Sequence, residues 1–401
     1  MVTPTLTEDV REQNRHAVYR ALRASRTATR ADLAASTGLS APTVATILAE
    51  LQVRGVVAKA GTTSDTGGRP AQRVRFVADA AHVLAVDVSG RHAHACRIDL
   101  AGEVRERHQG PALRHDVSAA LLDWLAPLLR EGGKPPVPRL ALAVPGVVDP
   151  RDGHVDLAPA LGWHAAPIAD YFETALGVPV TLENNVNALA LAELHYGVGV
   201  DHRHVLFTAI GSGFGAGIMI DGHLHRGAHA AAGEIGSSIA CDADVDDPLE
   251  QGEPGPLERR VVALAEACLD ERGKLGLQTQ SGRQAFAALL RLLGPVLHNL
   301  ACLLDPELIV VAWPADGTGR LAARLRADWP GPRPVPVLHA TLGRDAAARG
   351  VARLALERLE NSFCRAQSGS DTPAAKPVTA PATTPDGSGG GAAPARRNQH
   401  A

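Results

Sequence analysis

The sequence predicts an α/β protein preceded by a small module of short helices and a β-hairpin. Three observations carry this. From residue 82 onward, apolar runs that read as buried strands alternate with helical segments. The strand cycle restarts near residue 140 or 200, which predicts two related lobes. Residues 1–80 differ, with two short helices around a tight turn and then two β-rich runs.

In chain order, residues 7–24 place Val10, Val18, Ala21 and Leu22 near one helical face. Thr29 starts a second helix as its N-cap, with Asp32 at the capping-box position, and Gly38 ends it as a left-handed C-cap. Ser40 caps a third helix, Pro42 sits in its first turn, and Gly55 closes it. Residues 56–60 and 73–77 are β-rich and flank a loop of turn residues. This order reads as a winged helix-turn-helix; a plain three-helix bundle with a hairpin is the alternative. In the body, residues 82–88, 94–100, 140–144, 178–182, 204–210 and 308–312 read as strands. Residues 121–129, 187–194, 284–304 and 346–359 read as helices. Pro179 marks a strand start or an edge position, because it cannot donate to a ladder. From residue 362 the composition is that of a flexible tail. The expected domains are therefore 1–80, 81–361 and 362–401.

Composition excludes several classes. The 401 residues are 45% apolar, too many for a wholly disordered chain and enough for large cores. The net charge of −3 rules out a uniformly basic coat. Residues 1–80 nevertheless carry an excess of four positive charges, the layout of a basic module on an acidic body. The five cysteines are scattered singly, which suits a reducing compartment. No signal-peptide core and no run of about 18 uncharged apolar residues is present, so a cytoplasmic protein with no membrane partner is expected.

The motifs AVDVSG, AVPGVVDPRDG, PVTLENNVNALALAELHYG, AIGSGFGAGIMIDGHLHRGAHAAAGEIGS and LLDPELIVV, in that order, resemble the ROK family of repressors, open reading frames and sugar kinases. The first module, ending in GGRP, resembles the family's transcriptional-repressor branch. The resemblance covers roughly residues 12–360. It implies a two-lobed actin-like, sugar-kinase ATPase-type fold with a sugar cleft between the lobes and an ancestral ATP site beside it.

Against that family pattern several chemical groups are missing. A sugar kinase needs a carboxylate base, the Asp of Glu-Asn-Asp, but this chain reads Glu183-Asn184-Asn185. A neutral amide cannot take the proton, though it can bond a hydroxyl; a role in shaping the turn is the alternative for this pair. The first phosphate loop reads Asp87-Val88-Ser89-Gly90-Arg91 in place of Asp-x-Gly-Gly-Thr. Gly211-Ser212-Gly213-Phe214-Gly215 is intact, while Ala312-Trp313-Pro314 replaces the glycine pair beside adenosine. Of the family's four zinc-ligand positions only Cys241 remains, with Ser237 where a His is expected, so neither a metal nor another cofactor is expected. His92/His94 and His223/His225 are read as ordinary strand residues for want of a third ligand. Glu234 and Glu250 remain where the family contacts sugar hydroxyls. With Asn184, Asn185 and Ser237 they make the expected ligand set.

On the first module, residues 41–54 form the expected recognition helix. Ala41, Thr43, Val44 and Thr46 are placed to meet base edges, and Thr37, Ser40 and Thr43 to meet phosphates. Arg69 in the hairpin loop is read as a minor-groove contact, with a solvated loop arginine as the alternative. The expectation is a regulator that binds an inverted-repeat operator as a homodimer or higher homo-oligomer. A sugar or sugar derivative would be its effector, and no kinase activity is expected. A sugar kinase with an appended DNA-binding domain, or a regulator answering to a protein partner, are the alternatives.

Overall fold

The computed structural model describes residues 6–62, 71–114, 117–130, 135–158, 161–240 and 253–365. α1 (Leu6–Ser25) leads through β1 (Thr27–Thr29) into α2 (Arg30–Thr37). Thr29 and Asp32 exchange both hydrogen bonds of a capping box, and Gly38 closes α2 at φ 71°. Ser40 caps α3 (Ala41–Val53) by accepting from the Thr43 N–H. β2 (Val57–Thr62) and β3 (Gln72–Phe76) pair antiparallel, and β1 adds to the other edge of β3. The sequence gives no sign of β1, since three residues are too few for a period of two to register.

Beyond residue 80 two five-stranded sheets repeat one topology. In the first lobe β4 (His82–Asp87), β5 (His92–Asp99) and β6 (Val104–Ala112) form an antiparallel meander, followed by α4 (Ser118–Arg130). β7 (Arg139–Val144) then pairs in parallel with β4. β8 (Val147–Asp149), β9 (His154–Ala158) and β10 (Trp163–Ala166) make a small side sheet, followed by α5 (Ile168–Leu176). β11 (Val180–Asn184) completes the first sheet as an edge strand, in parallel with β7 and directly after Pro179. α6 (Asn185–Tyr196) crosses to the second lobe. There β12 (Val205–Ile210), β13 (Phe214–Ile220) and β14 (His223–His225) repeat the meander. After α7 (Pro256–Ala267) and α8 (Gln280–Leu304), β15 (Leu308–Ala312) adds in parallel on β12. α9 (Arg320–Ala327) leads to β16 (Val337–His339), parallel on β15. Both sheets therefore run third, second, first, fourth, fifth strand. The repeat restarts at β12, near residue 200; β7 at residue 140 is the fourth strand of the first cycle.

α10 (Ala346–Cys364) closes the chain against α6 and the first sheet. It runs five residues past the expected end at 359, because its last turns dock on the N-terminal module. Leu356, Leu359 and Cys364 share one core with Val18, Leu22 and Phe76. Glu360, fully buried, accepts from Arg20, from Arg23 at 3.3 Å and lies 3.1 Å from His16 Nδ1. Arg15 bridges Glu50 at 2.7 Å and the Cys364 carbonyl at 2.9 Å. Arg54 donates to the carbonyls of Ser362, Phe363 and Arg365. The module is thus built into the body by shared apolar packing and by paired charges.

Among the described residues α8 alone is long and apolar enough to cross a membrane. Its Phe286, Leu289, Leu293 and Leu297 instead face the second-lobe core beside β15.

Candidate functional site

The solvent face of α3 is drawn by its own periodicity. Val44, Ile47, Leu48 and Leu51 turn inward, leaving Ala41, Pro42, Thr46, Ala49 and Val53 exposed. Val44 is fully buried, so the sequence-based placement of Val44 at base edges is wrong: it sits on the i, i+3, i+4 stripe that packs the module. Ala41 and Thr46 remain outward, and the Thr46 hydroxyl donates only to the Pro42 carbonyl, at 3.2 Å. Ser40 and Thr43 hydroxyls lie 2.8 Å apart at the helix N-terminus. The Thr37 hydroxyl donates back to Leu33 at 2.6 Å, which orients it along α2. Arg69 lies outside the described residues. Lys59, Arg73 and Arg75, not singled out in the sequence, are exposed on the β2–β3 pair. The β-alternation of Val74 and Phe76 inward with Arg73 and Arg75 outward was the available signal.

The second candidate site lies where α6 starts. Asn184 is the N-cap of α6. Its side-chain oxygen accepts from Val186 at 2.8 Å and Asn187 at 3.0 Å, while its amide donates to the Gly146 carbonyl at 2.8 Å. Asn184 thus aims the helix, the turn-shaping role weighed as the alternative for this pair, and keeps a second amide N–H. Asn185, half-buried in the first turn, makes no side-chain hydrogen bond among the described residues. Val186 stacks over Gly215 at the start of β13, and the Gly233 carbonyl accepts from Ala216 on the same strand. The neighbours of Asn185 and Glu234 in the chain thus meet the same end of β13. Glu234 opens to solvent there. Desolvation by its surroundings, with Glu258 nearby, pushes its carboxyl above the usual range. Ser237 follows in the 3-10 turn Ile235–Ser237 and is exposed. Glu250 and Cys241 lie outside the described residues. Across the cleft, fully buried Glu183 accepts from Arg226 through Nε at 2.9 Å and Nη2 at 2.5 Å, tying the end of β11 to the loop after β14.

The two loops that the resemblance assigns to phosphates each carry an acidic side chain. Asp87 Oδ1 accepts from the Ser89 N–H at 2.9 Å and its hydroxyl at 2.5 Å, closing the first loop on itself, and burial pushes the Asp87 carboxyl up. At the second loop the Glu258 carboxyl lies under Gly213, and burial pushes it above its usual range while the nearby Phe214 and Gly255 N–H groups draw it back. Trp313 is 4% exposed and fills the second-lobe core where the resemblance expects glycines. Gly215 and Gly217 serve packing: a Cβ on Gly217 would stand 2.5 Å from the Ala190 Cβ of α6. Glu258 and Arg226 were missed in the sequence because each acts on a residue far away along the chain.

Helix α6 also carries Glu193, almost fully buried. It accepts from the N–H groups of Thr341 at 2.7 Å, Leu342 at 2.9 Å and Val198 at 3.0 Å. It fixes the chain where it leaves the second sheet to begin α10. One helix pair therefore holds the cleft, both lobes and, through the end of α10, the N-terminal module.

The ROK family model matches residues 83–358. The xylose repressor of Caldicellulosiruptor bescii is 30% identical over 227 residues, 55% of this chain and 56% of that one, so the chain spans about half the length of that relative. The crystal structure of a ROK family transcriptional regulator, a homolog of the E. coli MLC protein, superposes with a TM-score of 0.69 at 20% identity. It covers 88% of this chain and 98% of its own. A ROK family glucokinase from Streptomyces griseus, solved with glucose and AMPPNP, superposes with a TM-score of 0.57 at 25% identity. It covers 68% of this chain and 99% of its own.

Proposed function

The chain belongs to the ROK family, and we propose that it acts as a sugar-responsive transcriptional repressor that has no kinase activity. The observation that carries this reading is the core shared by the three-helix module and α10, the same helix that packs on α6 at the cleft. Such a connection serves a protein that must pass a binding event from body to module, and an enzyme has no need of it. In this reading residues 1–80 are a winged helix-turn-helix and residues 81–361 bind the effector and form the dimer. α3 enters a major groove through Ala41, Thr43 and Thr46, with Ser40 and Thr37 near the backbone. Lys59, Arg73 and Arg75, and Arg69 in the intervening loop, add the charge that a phosphate backbone draws in. Localisation in the cytoplasm follows from this reading.

The coverage of the two solved structures supports it. The regulator matches a larger share of the chain than the body alone supplies, while the glucokinase matches about the body's share. Against the enzyme reading stand the amide Asn185 in place of a base, the Asp87–Ser89 hydrogen bonds within the first phosphate loop and the Glu258 carboxyl under the second.

A two-fold dimer should protect an inverted repeat whose half-sites lie about 10 bp, or a multiple, apart. Footprinting on fragments captured by the full-length chain measures this. Thr46→Ala should relax discrimination within the half-site by about 1 kcal/mol, the scale of a single hydroxyl contact. An asymmetric footprint, or one indifferent to Thr46→Ala combined with Arg73→Ala, would count against this face.

Sugar binding should depend on Glu234. Glu234→Gln is expected to weaken the effector by about 1.5–3 kcal/mol, the range for a lost charge-assisted hydrogen bond, when a panel of aldoses is titrated calorimetrically. The same aldoses with ATP should yield no phosphosugar. Turnover that vanishes in Asn185→Ala would restore the kinase reading.

A further inference from the structure

We propose that His94, Cys96 and Asp345 form a site for a divalent transition-metal ion of the zinc class, with a fourth coordination position open to solvent. His94 and Cys96 stand two apart on β5, so strand alternation puts both on one face. Asp345 arrives from the other end of the chain, in the turn that starts α10. His94 Nε2 lies 2.9 Å from Asp345 Oδ1, and Cys96 Sγ lies 3.5 Å from that nitrogen and 3.6 Å from that oxygen. Tetrahedral ligation at bond lengths of about 2.0–2.3 Å spaces such donors roughly 3.3–3.7 Å apart. Two of the three separations already fall there. The third opens by roughly 0.4 Å once the ion replaces the shared proton. An ion about 2 Å from each donor then sits just outside their plane.

The surroundings fit an ion better than a simple hydrogen-bonded trio. Asp345 Oδ2 receives Arg107 through Nε at 2.8 Å and Nη2 at 2.7 Å. A guanidinium on the outer oxygen fixes the carboxylate while leaving Oδ1 free to ligate, as outer partners do around metal ligands. Metal binding displaces the Cys96 thiol proton to water, and the dication is then balanced by one thiolate and one carboxylate with His94 neutral. A sulfur, nitrogen and oxygen donor set suits Zn²⁺, Co²⁺ or Fe²⁺ and disfavours Ca²⁺ or Mg²⁺. A recess of about 360 Å³, lined by Arg107, His108, Gln109, Leu342 and Arg344, opens onto His94 and Asp345, with Cys96 buried behind them. It gives an entry path, room for water at the fourth position and two guanidinium groups for an anionic ligand. The donors are separate from the 237–250 segment, where the resemblance places the family's zinc. Sequence reading found no third ligand for His94 because Asp345 lies about 250 positions away.

The test is cobalt titration of the untagged, chelator-stripped full-length chain. One Co²⁺ should bind per chain with thiolate-to-cobalt charge-transfer absorption, and Zn²⁺ should displace it. Cys96→Ser should abolish the band, and Asp345→Asn should weaken binding at least about tenfold. Cys302→Ser, at an exposed thiol on α8, should change neither. A folded wild type without the band, or a band that survives Cys96→Ser, overturns the site. If Cys96→Ser fails to fold, protection of wild-type Cys96 from alkylation by Zn²⁺ decides the matter, and absence of protection refutes it.

Discussion

Glu360→Ala is expected to sever the response of DNA binding to sugar while leaving each binding event measurable on its own. Glu360 is fully buried, with Arg20, Arg23 and His16 around it. Removing one member of a buried charge cluster strands the others, at a cost of about 3–5 kcal/mol in fully buried cases. The Arg20 side chain is 60% exposed and regains water, so about 2–4 kcal/mol is the expected loss here. Denaturant unfolding should show that loss, concentrated in the contact between α1 and α10. Operator affinity measured with and without saturating sugar should converge to one value, because the module no longer senses how α10 sits. Calorimetric sugar affinity should stay within about twofold, since the Glu360 carboxylate faces His16, Arg20 and Arg23 of α1. Unchanged stability together with an intact sugar response would show that the signal takes another path.

Gly350→Ala should have the larger effect on the fold itself. A Cβ at Gly350 would stand 1.7 Å from the Ala188 carbonyl oxygen and 2.5 Å from its carbon. The obstacle is backbone, and no rotamer relieves it. α10 would have to lift from α6, opening a core whose members Ala347, Ala348, Val351 and Ala352 are all at most 2% exposed. Overpacking typically costs about 1–3 kcal/mol; with rigid backbone on both sides a loss above about 4 kcal/mol is expected. Gly294→Ala supplies the control. It lies within α8 and nothing stands within 4 Å of its added Cβ. There the better helix propensity of alanine should stabilise by about 0.5–1 kcal/mol. Thermal melts of the two variants should shift in opposite directions, and a Gly350→Ala protein as stable as wild type would contradict the close crossing.

The parts of the fold that rest on neighbours in sequence were legible before the structure. The Thr29–Asp32 box, the Gly38 and Ser40 caps and the apolar strand runs are local and are present nearly where expected. Legibility failed where meaning depends on distant partners. Val44 looked available beside Thr43 in the first turn of α3, yet its stripe is fixed by Ile47, Leu48 and Leu51. Asn184 looked like half of a ligand pair, but the approach of Gly146 claims its amide. Glu360 carried one usable hint, since it continues the 352–356 spacing of an apolar face and so marked a buried charge. Nothing in one dimension joins it to Arg20, or Asp345 to His94.

The docking of α10 has a consequence for synthesis. The N-terminal module is made first but finished last, because Leu356, Leu359 and Cys364 complete its core. At about 5–20 residues per second, the ribosome needs roughly 15–60 s to travel from the end of the hairpin to that helix. For that interval a nascent chain carries the module's inner face uncovered, with Arg20, Arg23 and Arg54 lacking their partners at the end of α10. Truncated translation products should therefore be cleared as unfolded protein and should not occupy operators, so that only complete chains reach the DNA.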